Sequence, residues 1–141
     1  GSAAMNQDVF RSPTVFNYYP AEYEVPGEPN LVGPVFGIFS TQTTITRANF
    51  INQVLFSGIP VNQPNTPRGT ELNLKIWEDL ADTPVELVDR LSCWMLHCAM
   101  SPQMKTIIVN AVNTVPVTNL LLRAQTAIYL VATSNHYQVL R

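Results

Sequence analysis

Two proline-marked helix starts constrain this chain more than any other feature in it. Thr83-Pro84 and Ser101-Pro102 each set a hydroxyl residue before a proline. Such a hydroxyl can cap a helix by accepting a free backbone N–H of the first turn. Proline at the first helical position gives up an N–H that has no partner there. Glu86, three residues after Thr83, completes a capping box. A first helix is therefore predicted over residues 83–100. Leu87, Leu91, Trp94, Met95 and Cys98 form one face of it, and Glu86, Asp89, Arg90, Cys93 and His97 the other. Its thin polar face predicts a mostly buried helix.

A second helix follows over residues 101–115, with Met104, Ile107, Ile108, Ala111, Val112 and Val115 on one face and Pro116 as its stop. The connection between these two helices is short, which favours an antiparallel hairpin. A third helix, over residues 118–133, is apolar nearly all round and belongs at the centre of the block. The tail, 134–141, leaves the helical pattern.

The first 39 residues read differently. Pro13, Pro20, Pro26, Pro29 and Pro34, with Gly27, Gly33 and Gly37, forbid a regular helix. Large apolar groups are nonetheless dense there, which a disordered linker would not carry. The stretch is expected to be an extended arm, residues 6–39, packed across the helical body. Tyr18, Tyr19 and Tyr23 are its candidate interaction surface. Residues 40–58 predict another helix, capped by Ser40 or a following Thr and closed by Gly58. Residues 59–70 are a loop by composition. Residues 71–77, ELNLKIW, alternate in the manner of a short strand, and 78–82 have room for one helical turn. The fold class expected is mainly α: a small bundle of about four helices, the arm laid across it, and at most one short strand pair.

A chain of 141 residues fits one domain, here 6–141. Hydrophobic residues make up 46% and charged residues 13%, so another protein is a natural cover for part of the surface. A net charge of −2, with Lys75 and Lys105 the only lysines, argues against nucleic acid. No apolar run is long enough to span a membrane. Nothing resembles a signal peptide, and Gly1-Ser2-Ala3-Ala4-Met5 reads as a cloning scar.

No residue stands out as catalytic, and no cofactor is implied. Cys93 and Cys98, taken as parts of one helix, point in different directions and are expected to be unlinked, buried, small apolar groups. His97, four residues after Cys93, makes half a metal site at most. His136 reads as an ordinary surface or packing residue. Glu22, Glu24 and Glu28 cluster in the arm, and Glu78, Asp79 and Asp82 cluster before the first marked helix. Solvated and dipole-capping roles are the commoner use of such groups, with a calcium site the alternative for the second cluster.

Two segments resemble a known family. SPTVFNYYPAEYEVPGEPNLVGPVF, residues 12–36, is similar to the hallmark of the bacterial domain-of-unknown-function family numbered eighteen-hundred. Ser12, Pro13, Val15, Phe16, Asn17, Tyr19, Pro26, Gly27, Leu31, Val32, Pro34 and Phe36 carry the likeness, while Val25 stands where a proline is common. RAQTAIYLVATSNHYQVLR, residues 123–141, resembles the family's C-terminal ending, with Asn135 and His136 replacing a common Pro-Glu. The resemblance implies the C-terminal portion of a longer protein, exported from bacterial cells (periplasmic or secreted). It carries no catalytic residues over. A protein partner is expected, either the rest of the parent chain or a sulfatase-like gene neighbour, and self-association is open. The function expected is a non-catalytic structural or protein-interaction module. The alternative is a fragment of an extracellular hydrolase-like enzyme that contributes part of its active site.

Overall fold

A computed structural model describes Met5, residues 7–60 and residues 69–138. Most of the first five residues, most of the proline loop expected over 59–70, and the last three residues of the tail lie outside the described residues. The chain divides into two compact units, Gly1–Phe50 and Ile51–Arg141. Among the described residues there are six helices, α1 (Thr41–Phe56), α2 (Lys75–Glu78), α3 (Pro84–Leu96), α4 (Pro102–Asn113), α5 (Leu120–Ala132) and α6 (Asn135–Gln138). The β pairing among these residues is limited to isolated bridges. The protein is thus mainly helical.

In the first unit, prolines prevent α-helix before Thr41 and the chain there reverses repeatedly. Val25 N–H donates to Leu31 O at 2.9 Å and Gly33 N–H to Tyr23 O at 2.8 Å, closing a hairpin-like loop with a Glu24–Val32 bridge. Its tip uses Gly27 at φ 89 and Asn30 at φ 83, two residue types that tolerate the left-handed region. Gly33 is needed for closeness: a Cβ there would lie 2.7 Å from Val25 Cγ2 and 2.8 Å from Phe36 Cδ2. A 3-10 turn over Pro34–Ile38 leads into α1. Ser40 and Thr43 cap α1 reciprocally, Thr43 N–H donating to Ser40 Oγ at 3.2 Å and Ser40 N–H to Thr43 Oγ1 at 2.8 Å.

The second unit holds the core. Leu87, Val88, Leu91 and Leu96 of α3 meet Ile108 and Val112 of α4, and Ala124, Ala127 and Val131 of α5, with Ala81 from the preceding turn. Each fully buried Leu or Val contributes roughly 1.5–3 kcal/mol against its exposed state. α5 packs on α2, α3, α4 and α6, the central place its all-round apolarity predicts. The last turn of α1 joins it through Gln125, whose Nε2 donates to Leu55 O at 2.7 Å. Phe56 also meets the Tyr129 ring edge-on, with centroids 6.3 Å apart. α1 ends where Gly58 turns left-handed, at φ 68.

Four sequence expectations need correction. The strand expected over 71–77 is absent. Asn73 Oδ1 instead accepts the Lys75 N–H at 3.0 Å and starts α2, leaving Leu72 and Ile76 exposed and Leu74 buried. The capping box at Thr83 does not form, since the Thr83 hydroxyl donates to Asp82 Oδ1 at 3.3 Å. α3 stops at Leu96, short of residue 100. The tail keeps one helical turn, α6, with Ser134 Oγ accepting from Tyr137 N–H at 3.3 Å.

Candidate functional site

The surface feature with the most chemistry lies where α3 ends. Ser101 Oγ accepts the Met104 N–H at 3.2 Å and fixes the start of α4, so the chain between Leu96 and Ser101 must turn within a few residues. His97 at φ 52 and Cys98 at φ 62 do this by both entering the left-handed region. Histidine is among the residues enriched there, but for two side-chain-bearing residues in succession the cost is about 1–3 kcal/mol each. Cys98 N–H donates to Ser92 O at 3.0 Å, Ala99 N–H to Leu96 O at 2.8 Å, and Met100 N–H to Ser92 Oγ at 3.3 Å.

This reversal brings Cys98 back onto Cys93, and the two form a disulfide, their Cα atoms 3.8 Å apart. The expectation of two unlinked, buried cysteines is therefore wrong, and both are exposed. The spacing argument assumed one helix through Met100, on which residues five apart diverge. Once the helix stops at Leu96, the same spacing permits closure. Trp94, beside Cys93, is 71% exposed, although its spacing places it on the face of Leu87 and Leu91. α3 buries Val88 and Ser92 next to Leu87 and Leu91, which turns Trp94 outward. Its ring meets Trp77 edge-on, with centroids 5.8 Å apart and planes at 88°.

The metal readings find no geometry. Cys93 is committed to the disulfide, so it cannot join His97 in a site. Among the described residues no group of three or more His, Cys, Asp or Glu side chains converges. The second acidic cluster is split. Lys75 Nζ lies 2.7 Å from Asp79 Oδ1 and 4.0 Å from Glu78 Oε2. The hydrogen bond that Lys75 donates to Asp79, aided by both negative charges, raises the pKa of the Lys75 ammonium above the ordinary lysine range. A hollow of about 470 Å³ opens between the end of α1, α2 and α5, lined by Leu55, Leu72, Leu74, Leu121 and Gln125 among others. Its Gln125 amide is already spent on Leu55.

Tyr18, Tyr19 and Tyr23 are part-buried. Tyr19 Oη accepts from Gln7 Nε2 at 3.3 Å, while the buried Tyr18 hydroxyl has no hydrogen-bond partner. The outward apolar groups of the arm are others: Phe10 and Val9, Val15 at 94% exposed and Phe16 at 63%. The period-free sequence there gives no signal of which side chains face out.

A residue that belongs to no motif is the most connected polar group described in the second unit. Arg123 is only 3% exposed. Its Nη1 donates to Ala81 O at 2.8 Å, its Nε to Val115 O at 3.1 Å and its Nη2 to Asn113 Oδ1 at 3.3 Å. It ties the start of α5 to the end of α4, where a cation suits the helix dipole, and to the turn before α3. A lone arginine inside an apolar helix was the available signal. No protein-family model matches the chain, and neither the curated proteins nor the solved structures give a significant match.

Proposed function

We propose that this chain is a non-catalytic helical module of a longer exported bacterial protein, working by contact with another protein segment. The observation that carries the reading is the exposed apolar run of the arm. Val9, Phe10, Val15 and Phe16 fall within eight residues and are all exposed. Clustered large apolar groups at a surface mark contact sites, and aromatic anchors dominate the energy of such contacts. The disulfide supports export, because oxidising compartments are where such bonds persist. The likeness of residues 12–36 and 123–141 to the eighteen-hundred family supports a longer parent, whose remaining segment is the partner this reading names.

The test is titration calorimetry of this chain against the parent protein lacking it. The expected result is binding at micromolar affinity or tighter, weakened at least tenfold by the pair Phe10→Ser and Phe16→Ser. Absence of heat, or equal affinity for the double variant, would remove the arm as the contact surface.

A further inference from the structure

We propose that the Cys93–Cys98 bridge is a thiol-exchange site: a dithiol opens it in the folded protein and thereby releases the corner between α3 and α4. Three observations converge on it. Both cysteines are exposed, so an attacking thiolate can reach the bond without unfolding the chain. His97 and Cys98 both sit at positive φ, a conformation that persists where the surroundings enforce it. The bridge is the one covalent tie across them. The packing of α3 on α4 does not depend on the bridge. Leu91 and Val88 share one buried cluster with Ile108 and Val112, and Asp89 Oδ1 meets Lys105 Nζ at 2.5 Å. Opening is therefore local, confined to residues 97–100.

The chemistry balances with the dithiol as reductant. Its thiolate bonds to one cysteine sulfur as the S–S bond breaks, and the other sulfur leaves as a thiolate and takes up a proton. The second thiol of the reagent then displaces the protein from the mixed disulfide. The protein gains two electrons and two protons, and the reagent departs as its own disulfide. Trp94, next to Cys93 and edge-on to Trp77, lies where the change can be read.

The experiment treats the native chain with dithiothreitol, blocks thiols with iodoacetamide, and follows intact mass and amide hydrogen exchange. The untreated chain should take up no label. The treated chain should gain two labels while its helical circular dichroism is unchanged. Exchange of amides 97–100 should accelerate at least fivefold, and that of α5 less than twofold. The double variant Cys93→Ser, Cys98→Ser should show the fast exchange without reductant. His97→Gly, at home with positive φ, should halve the reduction-induced change or better. Two labels before treatment, resistance to reduction until denaturant is added, acceleration below fivefold, or a double variant that does not fold would each overturn the proposal.

Discussion

The two units of this molecule are both rich in apolar residues, yet they use them in opposite ways. In Ile51–Arg141, apolar side chains recur at helical spacing, and ten residues close into one buried cluster. In Gly1–Phe50, Ile38 and Thr43 are the only buried side chains among the described residues. Phe10, Asn17, Gly27 and Asn30 all take positive φ there, and backbone bonds three to ten residues apart, such as Arg11 N–H to Asp8 O and Gly33 N–H to Tyr23 O, hold the turns. A chain that reverses every few residues never lines its apolar groups along one face. Apolarity builds a core only when a repeating backbone sorts it to one side.

Arg123 gives the sharpest way to break that contrast. If the second unit rested on apolar burial alone, Arg123→Met would be harmless, since methionine is apolar and adaptable. The structure predicts otherwise. Removing the guanidinium leaves Ala81 O and Val115 O without their donor. Stranded buried acceptors cost about 1–3 kcal/mol each, so a loss of about 3 kcal/mol is expected in urea unfolding. Arg123→Lys should recover less than half of it, because an ammonium cannot span three acceptors set in a fork. A loss below 1 kcal/mol for Arg123→Met would show that the apolar cluster suffices.

The helix starts form the next test. Ser101 and Asn119 cap α4 and α5, accepting from Met104 N–H at 3.2 Å and Leu122 N–H at 3.1 Å. Ser101→Ala and Asn119→Ala should each cost about 1 kcal/mol. Thr83→Ala should cost less than half as much, because the Thr83 hydroxyl bonds Asp82 and caps nothing in α3. Equal losses at all three positions would mean that Thr83 caps its helix in solution, as the residue spacing alone predicts.

That pairing also shows what was legible in the residues and what was not. The existence and the starts of α3 (Pro84–Leu96) and α4 (Pro102–Asn113) could be read because period and punctuation agree: Pro84, Pro102 and the Gly58 stop of α1 all sit where helix ends need them. Leu72, Leu74 and Ile76 misled because alternation over so few residues is outweighed by one local bond, from Lys75 N–H to Asn73 Oδ1. Cys93 and Cys98 misled because their distance depends on where α3 ends, and nothing before His97 announces a left-handed residue there. Arg123 carries no motif because its partners, Ala81 O and Val115 O, are backbone atoms that every sequence possesses. Of the candidate site, only its general place in the arm was readable. Tyr18, Tyr19 and Tyr23 were the obvious aromatics, whereas Phe10 and Phe16 are the exposed ones, an orientation fixed by turns that follow no period.

The smallest expected effect falls on the arm and bears most directly on the contrast between the units. Phe16 is 63% exposed and Phe10 more so, and their places along the chain are set by backbone bonds such as Asn17 N–H to Thr14 O at 3.1 Å. Replacing both with serine removes little buried area, so the unfolding free energy should stay within about 0.5 kcal/mol of that of the unsubstituted chain. The same double variant is the one expected to lose binding in calorimetry. Stability unchanged with affinity lost would assign these two rings to contact. Should stability fall by 2 kcal/mol or more, Phe10 and Phe16 would instead be buried in solution. The first unit would then own a core, and the contrast drawn between the units would fail at its own strongest residues.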